Sequence, residues 1–199
     1  MGFSSLLDIL GSVMIGGVLL LILWRVNDAA VESTYVNAGE LVIQRNLVEV
    51  VQLLEYDFRK IGFCDDWTKI PDPSKAIIKA KSDSISFLTD VDSDGIVDTL
   101  HYFLGPLSEL SQTENPRDRM LYRVTNSETP RGSNMGITEF QLFYFDVLGD
   151  TIFQPINITG EINSMQINIK IEDVAAYDEN YSSAFWRQIR LAARNLKNR

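Results

Sequence analysis

The stretch IQRNLVEVVQLLEYDFRKIG, residues 43–62, decides the fold. Its apolar residues recur at steps of three or four, which predicts an amphipathic α-helix with one apolar and one polar face. We expect the helix to end at Gly62, because glycine readily takes the left-handed conformation that follows a helix. The apolar stripe that another layer must cover consists of Ile43, Leu47, Val50, Leu54, Phe58 and Ile61.

The same helix can extend far upstream, because no proline precedes Pro71 and the pattern predicts one helix from about Phe3 to Ile61. The upstream segment, MGFSSLLDILGSVMIGGVLLLILW at residues 1–24, has no charged residue after Asp8. It reaches the ~20 apolar residues that cross a bilayer. No basic residue precedes it and Asp28 follows it closely, unlike a removable signal peptide. We therefore expect a permanent membrane anchor.

Two features of this anchor are unusual for a plain membrane span. Asp8 is a carboxylate in an apolar segment, which costs about 2.5–3.5 kcal/mol at the bilayer centre and much less near its edge. Such a residue usually has a partner. Small residues that let helices approach closely in lipid follow it at Gly11, Ser12, Gly16 and Gly17.

Downstream of the helix the periodicity changes from helical to two-residue alternation, which predicts β-strands at residues 85–89, 99–105, 119–126, 137–146 and 164–172, with polar linkers such as residues 126–136 between them. Short polar linkers between the strands favour antiparallel pairing, and we expect residues 187–199 to form a final strand rather than a basic helix. The predicted fold is α+β: a long N-terminal helix, membrane-spanning in its first half and amphipathic in its second, packed on an antiparallel β-sheet. The predicted divisions are a transmembrane segment 1–26, an amphipathic continuation 27–62 and a β-rich head 63–199.

Composition excludes several functions. The net charge is -9 and no long basic run occurs, so nucleic acid is not an expected partner. With Cys64 and His101 as the only residues of their kinds, multi-histidine metal sites are excluded and no nucleophile–base pair is evident. Asp65 and Asp66 are adjacent, and adjacent carboxylates rarely face one cleft. We expect no enzymatic activity and no small-molecule substrate.

The segment DVDSDGIVD, residues 90–98, is the clearest chemical signal. It matches the first three quarters of a calcium-binding loop, with glycine at position 6 for the tight bend, but position 12 is His101 rather than glutamate. The alternative is a polar hairpin turn whose carboxylates face water. The candidate Ca²⁺ ligands at positions 1, 3, 5 and 9 are Asp90, Asp92, Asp94 and Asp98.

Five stretches, in this order, resemble the type IV pilin and pseudopilin superfamily, and more closely its W-type minor pilins and the J-type minor pseudopilins of type II secretion. They are LLEYDFRKIGF (53–63), SISFLTDVDSDGIVDTLHYFLG (84–105), MLYRVTN (120–126), ITEFQLFYFDVLGD (137–150) and IRLAARNL (189–196). The resemblance implies a non-enzymatic subunit of a pilus or secretion filament, or of its tip. It implies a single pass through the inner membrane, a head in the periplasm or outside the cell, and other pilin-like subunits and membrane lipid as partners.

The resemblance also assigns roles at the N-terminus. Family members are cut after a glycine that precedes phenylalanine, which corresponds to Gly2 and Phe3, and carry an acid that neutralises the terminal amine of a neighbouring subunit. Counted from Phe3, Asp8 is sixth where the family has its acid fifth, a rotation of about 100° around a helix. The residues before Phe3 also lack the family's basic leader. Either the true start lies upstream or this branch assembles differently.

A second interpretation is a monomeric, single-span envelope protein whose β head binds calcium or another protein. Charge bears on the side of the membrane on which the head lies, and there we give the resemblance over most of the chain more weight than a single arginine. Arg25 follows the apolar segment and no basic residue precedes it, which by the positive-inside rule favours a cytoplasmic head, against the resemblance.

Overall fold

The structure, a computed structural model, describes residues 2–174 and 181–191, of which residues 3–5 and 189–191 are described without their side chains. A single helix, α1, covers Gly2–Arg59. The chain divides into two compact units, Met1–Gly39 and Glu40–Arg199. Because this boundary falls inside α1, the last part of the helix belongs to the same unit as the β-strands.

In the first unit, α1 is long and apolar enough to cross a membrane. None of its most apolar 18-residue window is buried in the structure. This agrees with the predicted anchor in length and composition. The helix begins at Gly2, one residue before the predicted start.

The second unit contains one eight-stranded sheet in which all neighbouring strands are antiparallel. The strand order is β1-β2-β3-β4-β5-β7-β8, with β6 paired to β5, so that most strands neighbour the next one in the chain. The predicted α+β class with an antiparallel sheet is thereby confirmed. The strands are β1 Ile77–Ala80, β2 Ser84–Thr89, β3 Asp98–Leu104, β4 Arg119–Thr125, β5 Arg131–Phe145, β6 Thr151–Ile152, β7 Ser164–Glu172 and β8 Ser183–Leu191.

The amphipathic part of α1 packs on this sheet through the predicted stripe. All of its residues are buried except Leu47, which is half-buried against the core. The ring of Phe58 meets the rings of Phe87 on β2 and Tyr102 on β3 edge to face, with 5.5 Å between centroids in each case. Each fully buried large apolar side chain stabilises the fold by about 1.5–3 kcal/mol. The stripe therefore forms a major part of the core.

The helix ends close to where glycine predicts. α1 ends at Arg59, and Gly62 follows with a φ of 73°, in the left-handed region. Its N–H donates to the carbonyl oxygen of Leu88 at 2.9 Å. Glycine at this position therefore redirects the chain from the helix toward the sheet.

Two strands and one strand start were not predicted. β1 and β6 are short, and β5 begins at Arg131 although residues 126–136 read as a polar linker. Residues 131–134 are exposed, so they show no apolar alternation. A Cβ at Gly132 would lie 2.6 Å from the ring of Tyr122 on β4, so the lack of a side chain lets these strands pair. The predicted final strand is present as β8, and residues 192–199 lie outside the described residues.

One buried ion pair connects α1 to the middle of the sheet. Asp57 is 2% exposed and accepts hydrogen bonds from the Tyr102 hydroxyl on β3 and from the Arg123 guanidinium on β4. The Arg123 Nε and Nη2 lie 2.7 and 3.3 Å from the two Asp57 carboxylate oxygens. A buried carboxylate is tolerated only with such partners. The pair therefore fixes how α1 is rotated on the sheet.

We expect Asp57→Ala to lower the free energy of unfolding of the head by about 3 kcal/mol, because it leaves the Arg123 charge and the Tyr102 hydroxyl without their acceptor. Chemical denaturation of the full chain in detergent, followed by near-ultraviolet circular dichroism, measures this. The matched control is Glu49→Ala, which removes an exposed i,i+4 pair with Arg45 on the same helix and should cost under about 1 kcal/mol. Equal losses in both variants would contradict the structural role of Asp57.

Candidate functional site

The N-terminal apolar surface, defined as the large apolar side chains of residues 6–24, is the most unusual surface of the first unit. These side chains are between 52% and 69% exposed. Soluble monomers rarely expose a contiguous apolar patch of this kind, and such patches mark membrane or protein interaction sites. The surface follows from the sequence alone, because a helix that is apolar all round has no polar face to turn toward water.

Three glycines leave free space beside the N-terminal apolar surface. A Cβ placed at Gly11, Gly16 or Gly17 would meet no atom within 4 Å outside the local helix backbone. The described packing of the chain itself therefore does not require glycine at these positions. Small residues on a helix in lipid let a second helix approach closely, which gives these glycines a use outside the single chain.

The three residues predicted for processing and assembly all lie on α1. Gly2 and Asp8 are exposed, whereas the side chain of Phe3 lies outside the described residues. In the described part of the chain, no donor or cation contacts the Asp8 carboxylate. The backbone carbonyl of Asp8 accepts a hydrogen bond from the Ser12 hydroxyl at 2.8 Å.

In the second unit, the acidic loop at residues 90–98 connects β2 to β3 and is organised by Asp90. The Asp90 side chain is fully buried. Its Oδ1 accepts the N–H of Asp94 at 3.1 Å, and its Oδ2 accepts the N–H groups of Gly95 and Asp65 at 3.0 and 3.1 Å. Burial raises the pKa of Asp90, but these backbone donors outweigh burial and hold the pKa below its usual value. Asp90 is therefore held as a buried carboxylate by three backbone N–H groups, and it organises the loop.

Three of the four predicted calcium ligands come together. One carboxylate oxygen from each of Asp90, Asp92 and Asp98 lies within 4.8 Å of the others. Asp94 is not in this group, and its Oδ1 instead accepts the N–H of Ile96 at 2.7 Å. Three converging carboxylates can bind a hard divalent cation, with water completing the coordination.

The carboxylates of the acidic loop also have hydrogen-bond partners within the protein when no ion is bound. Asp98 accepts the N–H of Val91 at 3.1 Å and the side-chain amide of Asn126 at 2.7 Å. His101, at the twelfth position, lies on β3 with its ring 4.8 Å from that of Phe103, and it is not in the acidic group. Burial lowers its pKa, and nearby lysines lower it further. The geometry is therefore compatible with both the calcium loop and the polar hairpin turn.

Sequence patterns missed a second cluster, in which Asn115, Asp118 and Glu172 are all buried. Glu172, at the end of β7, accepts hydrogen bonds from Arg117 at 2.7 Å and from the Asn115 amide at 3.1 Å. Lys170 lies 2.7 Å from its other oxygen. No short-range motif could reveal this cluster, because Glu172 lies 57 residues after Asn115 in the chain.

The described residues thus offer an exposed apolar helix and two acidic clusters as candidate functional features. Comparison of the chain with models of protein families, with curated proteins and with solved structures finds no match. The geometry and the sequence are therefore the basis for a functional proposal.

We expect Asp92→Ala to remove one bound Ca²⁺ per chain if the acidic loop holds the ion, because the exposed Asp92 supplies a ligand without supporting the loop through a described hydrogen bond. Calorimetric titration of the calcium-free full chain in detergent measures the stoichiometry. Asp94→Ala is the control, since Asp94 is outside the converging group and its loss should leave the number of bound ions unchanged. Parent-like binding by Asp92→Ala would show that the loop is only a turn.

Proposed function

We propose that the chain is a non-enzymatic structural subunit of the pilin or pseudopilin type, which assembles through its N-terminal helix into a type IV pilus or type II secretion filament, or into its tip. One observation carries this proposal. Within the continuous helix α1, residues 6–24 expose apolar side chains, whereas the apolar stripe from Ile43 to Phe58 belongs to the core of a β head. A plain anchor needs no such extension of its helix into a folded head.

The proposed location is the inner membrane, crossed once, with the head in the periplasm or outside the cell. Before assembly, lipid would cover the N-terminal apolar surface, whose length matches a bilayer. In a filament, the same surface would be covered by helices of neighbouring subunits, and Gly11, Gly16 and Gly17 would allow their close approach. The proposed partners are therefore other pilin-like subunits and membrane lipid.

Asp8 supports assembly through an electrostatic argument. A carboxylate among exposed apolar residues is stable in lipid only near an edge or beside a compensating charge. A processed neighbour that begins at Phe3 would supply a terminal amine as that charge. Gly2 and Phe3 would then be the cut and the new N-terminus, and Asp8 the acceptor of an intersubunit contact.

The chemistry of the head supports a non-enzymatic role. Cys64 is buried, and burial raises the pKa of its thiol, so little reactive thiolate forms at neutral pH. The side chain of His101 lies on β3 beside Phe103, and no nucleophile contacts it in the described residues. The head is better suited to making specific contacts with other subunits.

The second candidate is a monomeric, single-span envelope protein with a calcium-binding or partner-binding head. The convergence of Asp90, Asp92 and Asp98 favours it, because a cation site can serve a head that acts alone. The two candidates differ in one property that can be measured in a membrane, which is self-association of α1.

We expect cysteines placed singly at residues 9–24, in a Cys64→Ala background, to form disulfide-linked dimers in membranes with a yield that rises and falls every 3.6 residues. A packed helix face gives this periodicity, because side chains return to the same face after each turn. Gel electrophoresis under non-reducing conditions measures the yield. A flat profile would indicate random collision, and absence of dimers at all positions would favour the monomeric protein.

We expect Asp8→Asn to reduce incorporation into filaments at least about tenfold while leaving membrane insertion intact, because the amide keeps the size but not the charge that pairs with an amine. Sedimentation of sheared filaments and membrane fractionation measure the two effects separately. Asp8→Glu, which keeps the charge on a longer side chain, should retain more assembly than Asp8→Asn. Unchanged assembly in Asp8→Asn would exclude the proposed pairing.

A further inference from the structure

Asp118, immediately before β4, is a buried carboxylate that forms no ion pair within residues 2–174 and 181–191. Its side chain is 1% exposed, and among these described residues neither carboxylate oxygen has a partner with full hydrogen-bond geometry, although the Thr113 hydroxyl lies near enough to lower the carboxyl pKa. Native proteins pair nearly all buried polar groups, because an unpaired buried charge costs several kcal/mol. The described part of the chain therefore leaves Asp118 without the compensation that a buried carboxylate normally has.

In the loop that precedes Asp118, the Thr113 hydroxyl contacts two carbonyl oxygens and lies near the Asp118 carboxylate. The Thr113 hydroxyl oxygen lies 2.8 Å from the carbonyl oxygen of Leu110 and 3.1 Å from that of Asn115. The Thr113 hydroxyl is also close to the Asp118 carboxylate, and this contact lowers the pKa of Asp118. A hydroxyl has a single proton, so it cannot serve two carbonyls and a carboxylate at once. Acceptors therefore outnumber donors in this loop.

The backbone donors of the loop satisfy the two carbonyls once each but do not reach the Asp118 carboxylate. The N–H of Thr113 donates to Leu110 at 3.0 Å and the N–H of Asp118 donates to Asn115 at 3.3 Å, which leaves a second lone pair on each carbonyl oxygen. These two carbonyls, the Thr113 hydroxyl and the Asp118 carboxylate together provide five oxygen atoms. All of them come from nine consecutive residues of one loop.

Neighbouring cations do not neutralise Asp118 either. The Arg117 guanidinium binds Glu172 through both Nε and Nη2, at 2.8 and 2.7 Å. The Lys170 ammonium lies 2.7 Å from the other Glu172 oxygen. Burial raises the pKa of Asp118 to about 6, and the charges of Glu172 and Asp173 contribute to the increase. Both neighbouring cations are therefore paired with Glu172, and no described cation forms an ion pair with Asp118.

We propose that the loop at residues 110–118 is a calcium-binding site, in which Ca²⁺ is held by the Asp118 carboxylate, the Thr113 hydroxyl and the carbonyl oxygens of Leu110 and Asn115. Water completes the coordination. The all-oxygen ligand set and its irregular geometry suit Ca²⁺, which takes six to eight oxygens at about 2.3–2.6 Å. Zinc is disfavoured because the loop has no histidine or cysteine.

The observed spacing of the oxygens fits this ion. Adjacent ligands around a cation at about 2.4 Å lie about 3 Å apart when the angle between them is near 75°. The Thr113 hydroxyl makes hydrogen-bond contacts of 2.8 and 3.1 Å with its two carbonyl neighbours, so these oxygens are already about as close together as ligands of one ion would be. The ion would fasten the connection between β3 and β4 and provide the positive charge that Asp118 lacks. Its role would be structural.

The loop at residues 110–118 and the acidic loop at residues 90–98 differ in how many hydrogen bonds their buried carboxylate already accepts. Asp90 already accepts three backbone N–H groups, so an ion there would add to a satisfied carboxylate. Asp118 accepts no backbone N–H from the residues that the structure describes. We therefore expect the loop at 110–118 to bind Ca²⁺ more tightly than the acidic loop.

The test is calorimetric titration of Ca²⁺ into the chelator-treated full chain in detergent. We expect Asp118→Asn to lose one bound ion per chain, or at least tenfold in affinity at that site, while Asp92→Ala retains the tighter ion. Asparagine keeps the size of the side chain, and its amide can donate to the carbonyl of Leu110 or Asn115, so the fold should persist without metal. Circular dichroism of the calcium-free variant checks this.

If Asp118→Asn does not fold, Thr113→Val provides the second test. It removes one ligand and keeps the carboxylate, and it should weaken the tighter site about tenfold. Parent-like calcium binding by whichever variant folds would overturn the proposal. Failure of the parent to bind Ca²⁺ at millimolar concentration would also overturn it, and would indicate that Asp118 is neutralised by a proton instead. Neither result depends on whether the chain assembles into filaments.

Discussion

The packing of the last part of α1 on the sheet is the interaction on which the rest of the second unit depends. The apolar stripe provides the buried area, and the pair between Asp57 and Arg123 selects one rotation of the helix on β3 and β4. Apolar contacts alone are non-directional, so they stabilise the layer without choosing its orientation. The buried ion pair selects the orientation of the helix, because any rotation that separates Asp57 from Arg123 leaves a charge unpaired in the core.

This packing also explains how one helix can serve two environments. After Glu40 the buried apolar residues form one stripe, which the sheet covers, although some other apolar side chains such as Leu41 and Val48 stay exposed; at residues 6–24 apolar side chains surround the helix. The first pattern is that of a soluble core helix and the second that of a helix in lipid or among other helices. A subunit that anchors in a membrane and later joins a filament needs both patterns in one continuous element, which is why we favour assembly over simple anchoring.

The two acidic clusters show that carboxylate density is a poor guide to where a cation is needed. The loop at residues 90–98 has the more suggestive sequence, but backbone N–H groups already surround Asp90. At residues 110–118 a single carboxylate, Asp118, is buried among carbonyl and hydroxyl oxygens with too few donors. Whether a site needs a cation depends on how many hydrogen-bond donors and acceptors meet there in the folded structure, and the composition of a segment does not reveal this.

The sequence by itself determined the features that repeat over short distances. The 3.6-residue period from Ile43 to Ile61 and the two-residue alternation in β7 specify helix and strand, because side-chain direction follows the backbone period. Only the tertiary structure decided the contacts between distant residues: the pairing of Asp57 with Arg123, the exposed start of β5 and the unpaired Asp118. The physical reason is that burial and partner choice depend on which segments meet, and local periodicity carries no information about that.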